Sequence, residues 1–375
     1  MIADWYKSKG YHFLALSDHN LIQTGEKWIN VGSLKEGAAP LSRCEKRFGT
    51  NWLARRWVGP VSQVRLKTLA EFRPLLEEPG RFLLIPATEI TARYSIWPVH
   101  VNAANLKHPI APPNGLSVLD VLQRSFDAVY AQRQATRQPI LPHVNHPNFG
   151  WAITAEDLMR LRGGIFFEVY NGHPEVHNFG DGTRQGTEAM WDIALSFRLT
   201  QTKLGPLYGL AVDDSHRYHI YSPEQSNPGR GWVIVRALRL DPNDLIPAME
   251  RGDFYSSSGV ELEDVTRLNR TLTVAAKPRP GETLTIRFIG TPKRFNPSSE
   301  PIIAKDGRPY PTTRRYRPEI GNVLQESQGP TASYTLKGDE LYVRATIISS
   351  FPKKDAKDPS EKEMAWVQPW IQPLQ

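Results

Sequence analysis

Apolar residues fall into two regimes along the chain. Up to about residue 265 they come as short, nearly continuous runs, each breaking into polar residues at its end: FLALSDHN (13–20), RFLLIPATEI (81–90), PVHVNAANL (98–106), PILPHVNHPN (139–148), GIFFEVYNG (164–172) and YGLAVDDSH (208–216). Strands buried on both faces of a parallel sheet carry runs of this kind. Between them, apolar positions recur with helical spacing over 64–78, 117–135, 154–162 and 186–200. A further short helix is predicted in MIADWYKSKG, closed by Gly10. Strand alternating with helix predicts an α/β architecture, in which the loops after the strands form the functional face. From about residue 266 the period becomes two, as in RTLTVAA, ETLTIRFIG and ELYVRATIIS, with Leu284, Ile286 and Phe288 on one face. This predicts a small antiparallel β-sandwich over 266–375, behind an α/β domain over 1–265. Residues 21–63 form a long insertion after the first run, at the end where the polar residues cluster.

Composition narrows the possibilities. The chain has 375 residues, enough for a large domain and a smaller one. Its single cysteine, Cys44, excludes an internal disulfide and a cysteine-based zinc site. The net charge of +7 is dispersed, which argues against nucleic acid as a partner. No apolar run approaches the roughly 20 residues of a membrane span, so no membrane partner is expected. No signal peptide is visible, so the default compartment is the cytoplasm. The chain opens on a helix that leads straight into a buried-type strand. A piece is therefore expected upstream, and export remains open if that piece carries a signal.

The chemistry gathers at the strand ends. Six of the ten histidines (19, 100, 143, 146, 173 and 216) lie in or just after the apolar runs, with Asp18, Glu89, Glu168 and Asp214 among them. Imidazole and carboxylate without thiolate suit Zn²⁺, Mn²⁺ or Fe²⁺, ranked above Mg²⁺ because imidazoles dominate. Taken singly, a loop histidine is ordinarily a surface residue and an aspartate after a strand ordinarily a cap. Recurrence at the same end of successive strands is what favours a shared metal centre. Trp28, Trp52 and Trp57 in the insertion, and Trp366 and Trp370 near the end, offer stacking surfaces for a sugar or base, or pack internally.

The segments FLALSDHN, PATEIT, HVNAANL, HVNHPN, EVYNG and DDSH, in that order, resemble the motifs of the PHP (polymerase and histidinol phosphatase) superfamily. RGDFYSSSGVELEDV (251–265) is similar to the segment that closes its domain. The resemblance covers roughly residues 1–265 and implies a distorted (β/α)7-type barrel, here with its first strand missing, followed by the β-sandwich. It implies metal-dependent hydrolysis of a small-molecule phosphate ester, possibly linked to carbohydrate. His19, Glu89, His100, His146, Asp214 and His216 are the implied ligands, with Glu89 bridging. His143 and Glu168 are ligands or supports, and His146 is preferred to His143 because it precedes proline. A complete site holds up to three divalent cations. This chain lacks the family's opening His-x-His, so fewer are expected, with Glu89, His100 and His146 the complete position. Asp18 or His173 is then the group that orients water or carries a proton. Arg184, Arg217 and the pair Arg55–Arg56 are candidate phosphate grips. A hydrolase acting on another ester or an amide, and a non-catalytic ligand-binding relative, stay open. The oligomeric state is not readable.

Overall fold

The structure, a computed structural model, describes residues 1–34 and 37–372. The apolar runs form one six-stranded sheet in chain order: Phe13–His19, Leu83–Tyr94, Trp97–Ala104, Leu141–Val144, Phe166–Asn171 and Tyr208–Val212. It curls into a half-barrel. Phe13–His19 runs parallel to Leu83–Tyr94, and the last three strands run parallel to one another. The two joins between them are antiparallel.

This corrects the (β/α)7-type barrel. A parallel join needs a crossover of a dozen or more residues. Only Ser95 and Ile96 separate Tyr94 from its pairing partner Trp97, and Ser95 sits in the left-handed region at φ 54°. A two-residue loop makes a hairpin. The next strand, Leu141–Val144, is again antiparallel, although the helix Val118–Thr136 lies in the connection. Closure fails as well: among the described residues no strand joins Phe13–His19 to Tyr208–Val212. A cavity of about 1590 Å³ lies between these two edge strands.

The helices cover the outer face of the sheet. Val118–Thr136, capped by the Ser117 hydroxyl accepting from the Asp120 N–H, buries Val121, Leu122, Phe126 and Val129. Thr187–Phe197 is buried almost all round, and its Trp191 indole donates to the Leu207 carbonyl at 2.8 Å. Capping boxes at Thr68/Glu71 and Thr154/Asp157 start the helices Leu69–Leu76 and Ala155–Arg160. Alternation then sorts the two faces. Ile90, Ala92, Val99, Val101, Ala103 and Val144 enter the core. Glu89, Thr91, His100, Asn102 and His143 are left for the concave face. No helix among the described residues is long and apolar enough to cross a membrane.

The period-two segments form antiparallel sheets. Six strands pair in the order Trp232–Val235, Phe254–Ser257, Lys362–Ile371, Glu340–Pro352, Leu284–Pro292 and Asn322–Gln328, and three more are Leu262–Leu268, Thr271–Ala276 and Thr331–Thr335. Leu272, Val274, Leu284, Ile286, Phe288 and Val367 share one core between them. Two strands of the larger sheet precede residue 265, so segments on both sides of that position build it. The sheet is fastened to the half-barrel by specific polar contacts. The Gln368 amide accepts from the Gly209 N–H at 2.9 Å and donates to the Gly209 carbonyl at 2.8 Å. Trp366 is buried and lies 5.6 Å from the Tyr170 ring, so it is packing, not a carbohydrate platform.

Candidate metal centre

Register places the ligand candidates side by side. His19 pairs across from Glu89, Glu89 from Asn102, Thr91 from His100, and Asn102 from His143. Side chains one strand apart on the same face are within reach of one another. His146 lies just beyond its strand. Its backbone at φ 22° is a rare conformation for a residue other than glycine, and it turns the chain so that His146 also joins the group.

Glu89, His100 and His146 each offer one donor atom, and the three atoms lie within 4.8 Å of one another. Glu89 Oε1 is 2.7 Å from His100 Nδ1 and 3.6 Å from His146 Nε2. His100 Nδ1 is buried and faces Glu89 Oε1 at 2.7 Å. Two imidazoles converging on one carboxylate form a donor cluster that a shared cation can occupy. Two histidines and one carboxylate make a donor set that Zn²⁺ and similar cations accept. These residues could hold one metal ion.

Around this centre His19, His143, Glu168, His173, Asp214 and His216 form a continuous rim. His19 Nδ1 is 3.2 Å from Glu89 Oε2 and 2.6 Å from the Thr91 hydroxyl. The His19 ring lies 6.0 Å from those of His100 and His216, and His216 lies 5.8 Å from His173. His143 Nε2 is 3.1 Å from Glu168 Oε1, while Glu168 Oε2 accepts from the His146 N–H at 2.7 Å and from the Asn171 amide at 2.8 Å. Asn171 also donates to Asp214 Oδ2 at 3.1 Å, which ties the Glu168 cluster to the last strand end. Asp214 Oδ1 is 3.7 Å from His216 Nδ1. Asp18 is exposed, on the strand face opposite to His19, and accepts from Gln23.

Electrostatics follow from this crowding. Burial pushes the Glu89 carboxyl up, but the imidazoles of His100 and His146 outweigh it and hold the group well below the usual carboxylate range. Burial pulls His146 down, and the carboxylates of Glu89, Glu168 and Asp214 carry it up to about 9. His173 is lowered, by burial first and by neighbouring His216, against the pull of Asp214.

Of the arginine candidates, Arg184, Arg55 and Arg56 are engaged by other side chains, and Arg217 directly follows the rim residue His216. Arg184 is held by Asp181 and lies 3.8 Å over the Trp151 ring, so it grips a neighbouring carboxylate rather than facing the centre. Arg217 has its N–H on the Ser226 carbonyl at 2.9 Å and its own carbonyl on the Asn227 amide. Arg55 is paired with Glu45 at 2.7 Å, and Arg56 donates to Gln63 and covers Trp28 at 4.2 Å. Trp52 packs on Phe48 at 5.3 Å, and Trp57 is exposed.

Several site residues escaped the sequence reading. Asn145 donates to Glu89 Oε1 at 3.1 Å and accepts from the Asn102 N–H at 2.8 Å, fixing the carboxylate from behind. Asn171 and Thr91 do similar work for Glu168 and His19. Phe149 lies 5.0 Å from the His146 ring. The HVNHPNFG and EVYNG segments contain three of the four, but amides and phenyl groups carry no mark of a site on their own.

No model of a known family matches the chain, and no curated protein matches it.

Proposed function

We propose that the protein is a metal-dependent phosphoesterase that hydrolyses a small-molecule phosphate ester. The observation that carries this reading is the Glu89–His100–His146 group, whose three donor atoms lie within 4.8 Å of one another. The ordered resemblance of the strand-end motifs to the PHP superfamily supports it from the sequence. Glu89, His100 and His146 would hold a divalent cation, which when bound would act as a Lewis acid on a phosphoryl oxygen and lower the pKa of a bound water towards neutrality.

The chain's own residues supply the rest. Asn145 and Thr91 fix Glu89 and His19 in place. Imidazoles at His19, His173 and His216 offer donors to a phosphoryl group at the rim. His173 Nδ1 accepts from the Glu175 N–H at 3.3 Å, which leaves its Nε2 as the proton-carrying atom. Burial lowers the pKa of His173 and favours its neutral form, whose Nε2–H can donate to a phosphoryl oxygen. Zn²⁺, Mn²⁺ and Fe²⁺ suit the imidazole-rich donor set.

The test is hydrolysis of 4-nitrophenyl phosphate by protein loaded with Zn²⁺ or Mn²⁺. Chelation, and separately Glu89→Gln, should each lower the rate at least about 100-fold, since loss of even an outer-shell partner costs 10–100-fold. Turnover on carboxylic esters with none on phosphate esters would contradict the phosphoesterase reading. So would a rate indifferent to chelation.

A further inference from the structure

The Phe149 ring is set directly against the rim of the centre. Its centroid lies 5.0 Å from the ring of His146 and 5.9 Å from that of His173. His146 is buried whereas Phe149 is only half-buried, so part of the phenyl surface stays open beside a ligand that is itself closed off. The surrounding rim is imidazole, carboxylate and amide.

The loop that presents Phe149 is unusually constrained. The Phe149 N–H donates to the His146 carbonyl at 2.9 Å, and Phe149 bridges to Val176 in the facing loop. Asn148, buried, donates to the carbonyls of His177 at 2.9 Å and Gln185 at 3.0 Å. The next two residues, Gly150 and Trp151, both lie at φ 57°. Glycine adopts that conformation freely, but a bulky residue does so only where its surroundings force it. Trp151 is forced by a clamp. The His177 ring stacks on it at 4.6 Å with an interplanar angle of 4°, and the Arg184 guanidinium sits 3.8 Å from its centroid, tied in turn to Asp181. Strain of this kind persists where the position it enforces is used. Trp151 is thereby fixed two residues from Phe149.

We infer that Phe149 is a specificity residue that receives the organic group of the ester, and that this group is a planar aromatic ring. A phosphoryl group at the cation places its substituent within reach of this wall, where ring–ring contact adds to simple burial. The inference rests on the phosphoesterase reading and deepens it to aryl phosphates.

Binding tests it without turnover. Phenylphosphonate and methylphosphonate are titrated into the zinc-loaded protein by calorimetry, for wild type, Phe149→Leu and Phe149→Ala, with bound zinc measured in each to confirm an intact centre. Wild type should prefer phenylphosphonate by about 3- to 10-fold, the scale of an aromatic pair. Both variants should lose most of that preference, and Leu, which keeps the bulk without the ring, guards against a folding defect. Equal wild-type affinities, or a preference that survives in both variants, would overturn the inference and leave the phosphoesterase reading intact. If neither phosphonate binds zinc-loaded wild type, the phosphoesterase reading falls and the inference with it.

Discussion

His146 sits among three carboxylates, and that crowding makes the metal-free centre sensitive to pH. Its imidazole is raised to about 9 in the folded chain, against about 6.5 when unfolded. The folded state thus binds the proton more tightly. The stabilisation is full below about pH 6.5 and is lost as pH rises through about 9. A cation needs the neutral imidazole, so it competes with that proton and binds more tightly over the same interval. Thermal melts from pH 6.5 to 9 should show Tm of the metal-free protein falling, with the increment from added Zn²⁺ growing. A flat Tm with a constant increment would contradict this. At the scale of single residues, the Glu89–His100–His146 group was legible in the sequence, because histidines and carboxylates ending apolar runs stand out chemically. The Arg184 guanidinium has a near carboxylate, Asp181, three residues away in DGTR. Asn145, Asn171 and Phe149 were not legible, since their roles depend on which strands are neighbours.

Among the elements, the helix Thr187–Phe197 and the strand Glu340–Pro352 hold half-barrel and antiparallel sheet together. Arg344, almost wholly buried, donates to Asp192 through Nε at 2.8 Å and Nη2 at 2.6 Å, and through Nη1 to Glu188 at 2.9 Å. Tyr342 donates to the same Asp192 carboxylate at 2.7 Å. Removing Asp192 takes two of the charge-assisted hydrogen bonds from the buried Arg344 guanidinium and leaves it the Glu188 carboxylate. Asp192→Ala should therefore cost about 3–5 kcal/mol in urea unfolding. A loss under about 1 kcal/mol would mean that the cluster does not fasten these elements. Helix positions were readable from 3.6-residue spacing: 117–135 became Val118–Thr136 and 186–200 became Thr187–Phe197. Strand direction was not. The hairpin at Ser95–Ile96 lacks the Asn-Gly or Asp-Gly pair that marks such turns, so its two strands read as separate units of a parallel sheet.

Over the whole molecule, the half-barrel gathers residues from 19 to 216 at one rim because its strands follow chain order and its polar positions share the concave face. The cavity between the two edge strands reaches that rim at His19, Glu89, Glu168 and Asp214, so the centre opens onto a large space. This arrangement does not need a closed barrel. It needs adjacent strands and one correct register, both of which survive the two antiparallel joins. The most direct test is anomalous diffraction at the zinc absorption edge, from crystals of this protein grown with Zn²⁺. A peak about 2.0–2.2 Å from a Glu89 carboxylate oxygen, His100 Nδ1 and His146 Nε2 is predicted. A fully zinc-exposed crystal with no peak among those three side chains would contradict the account.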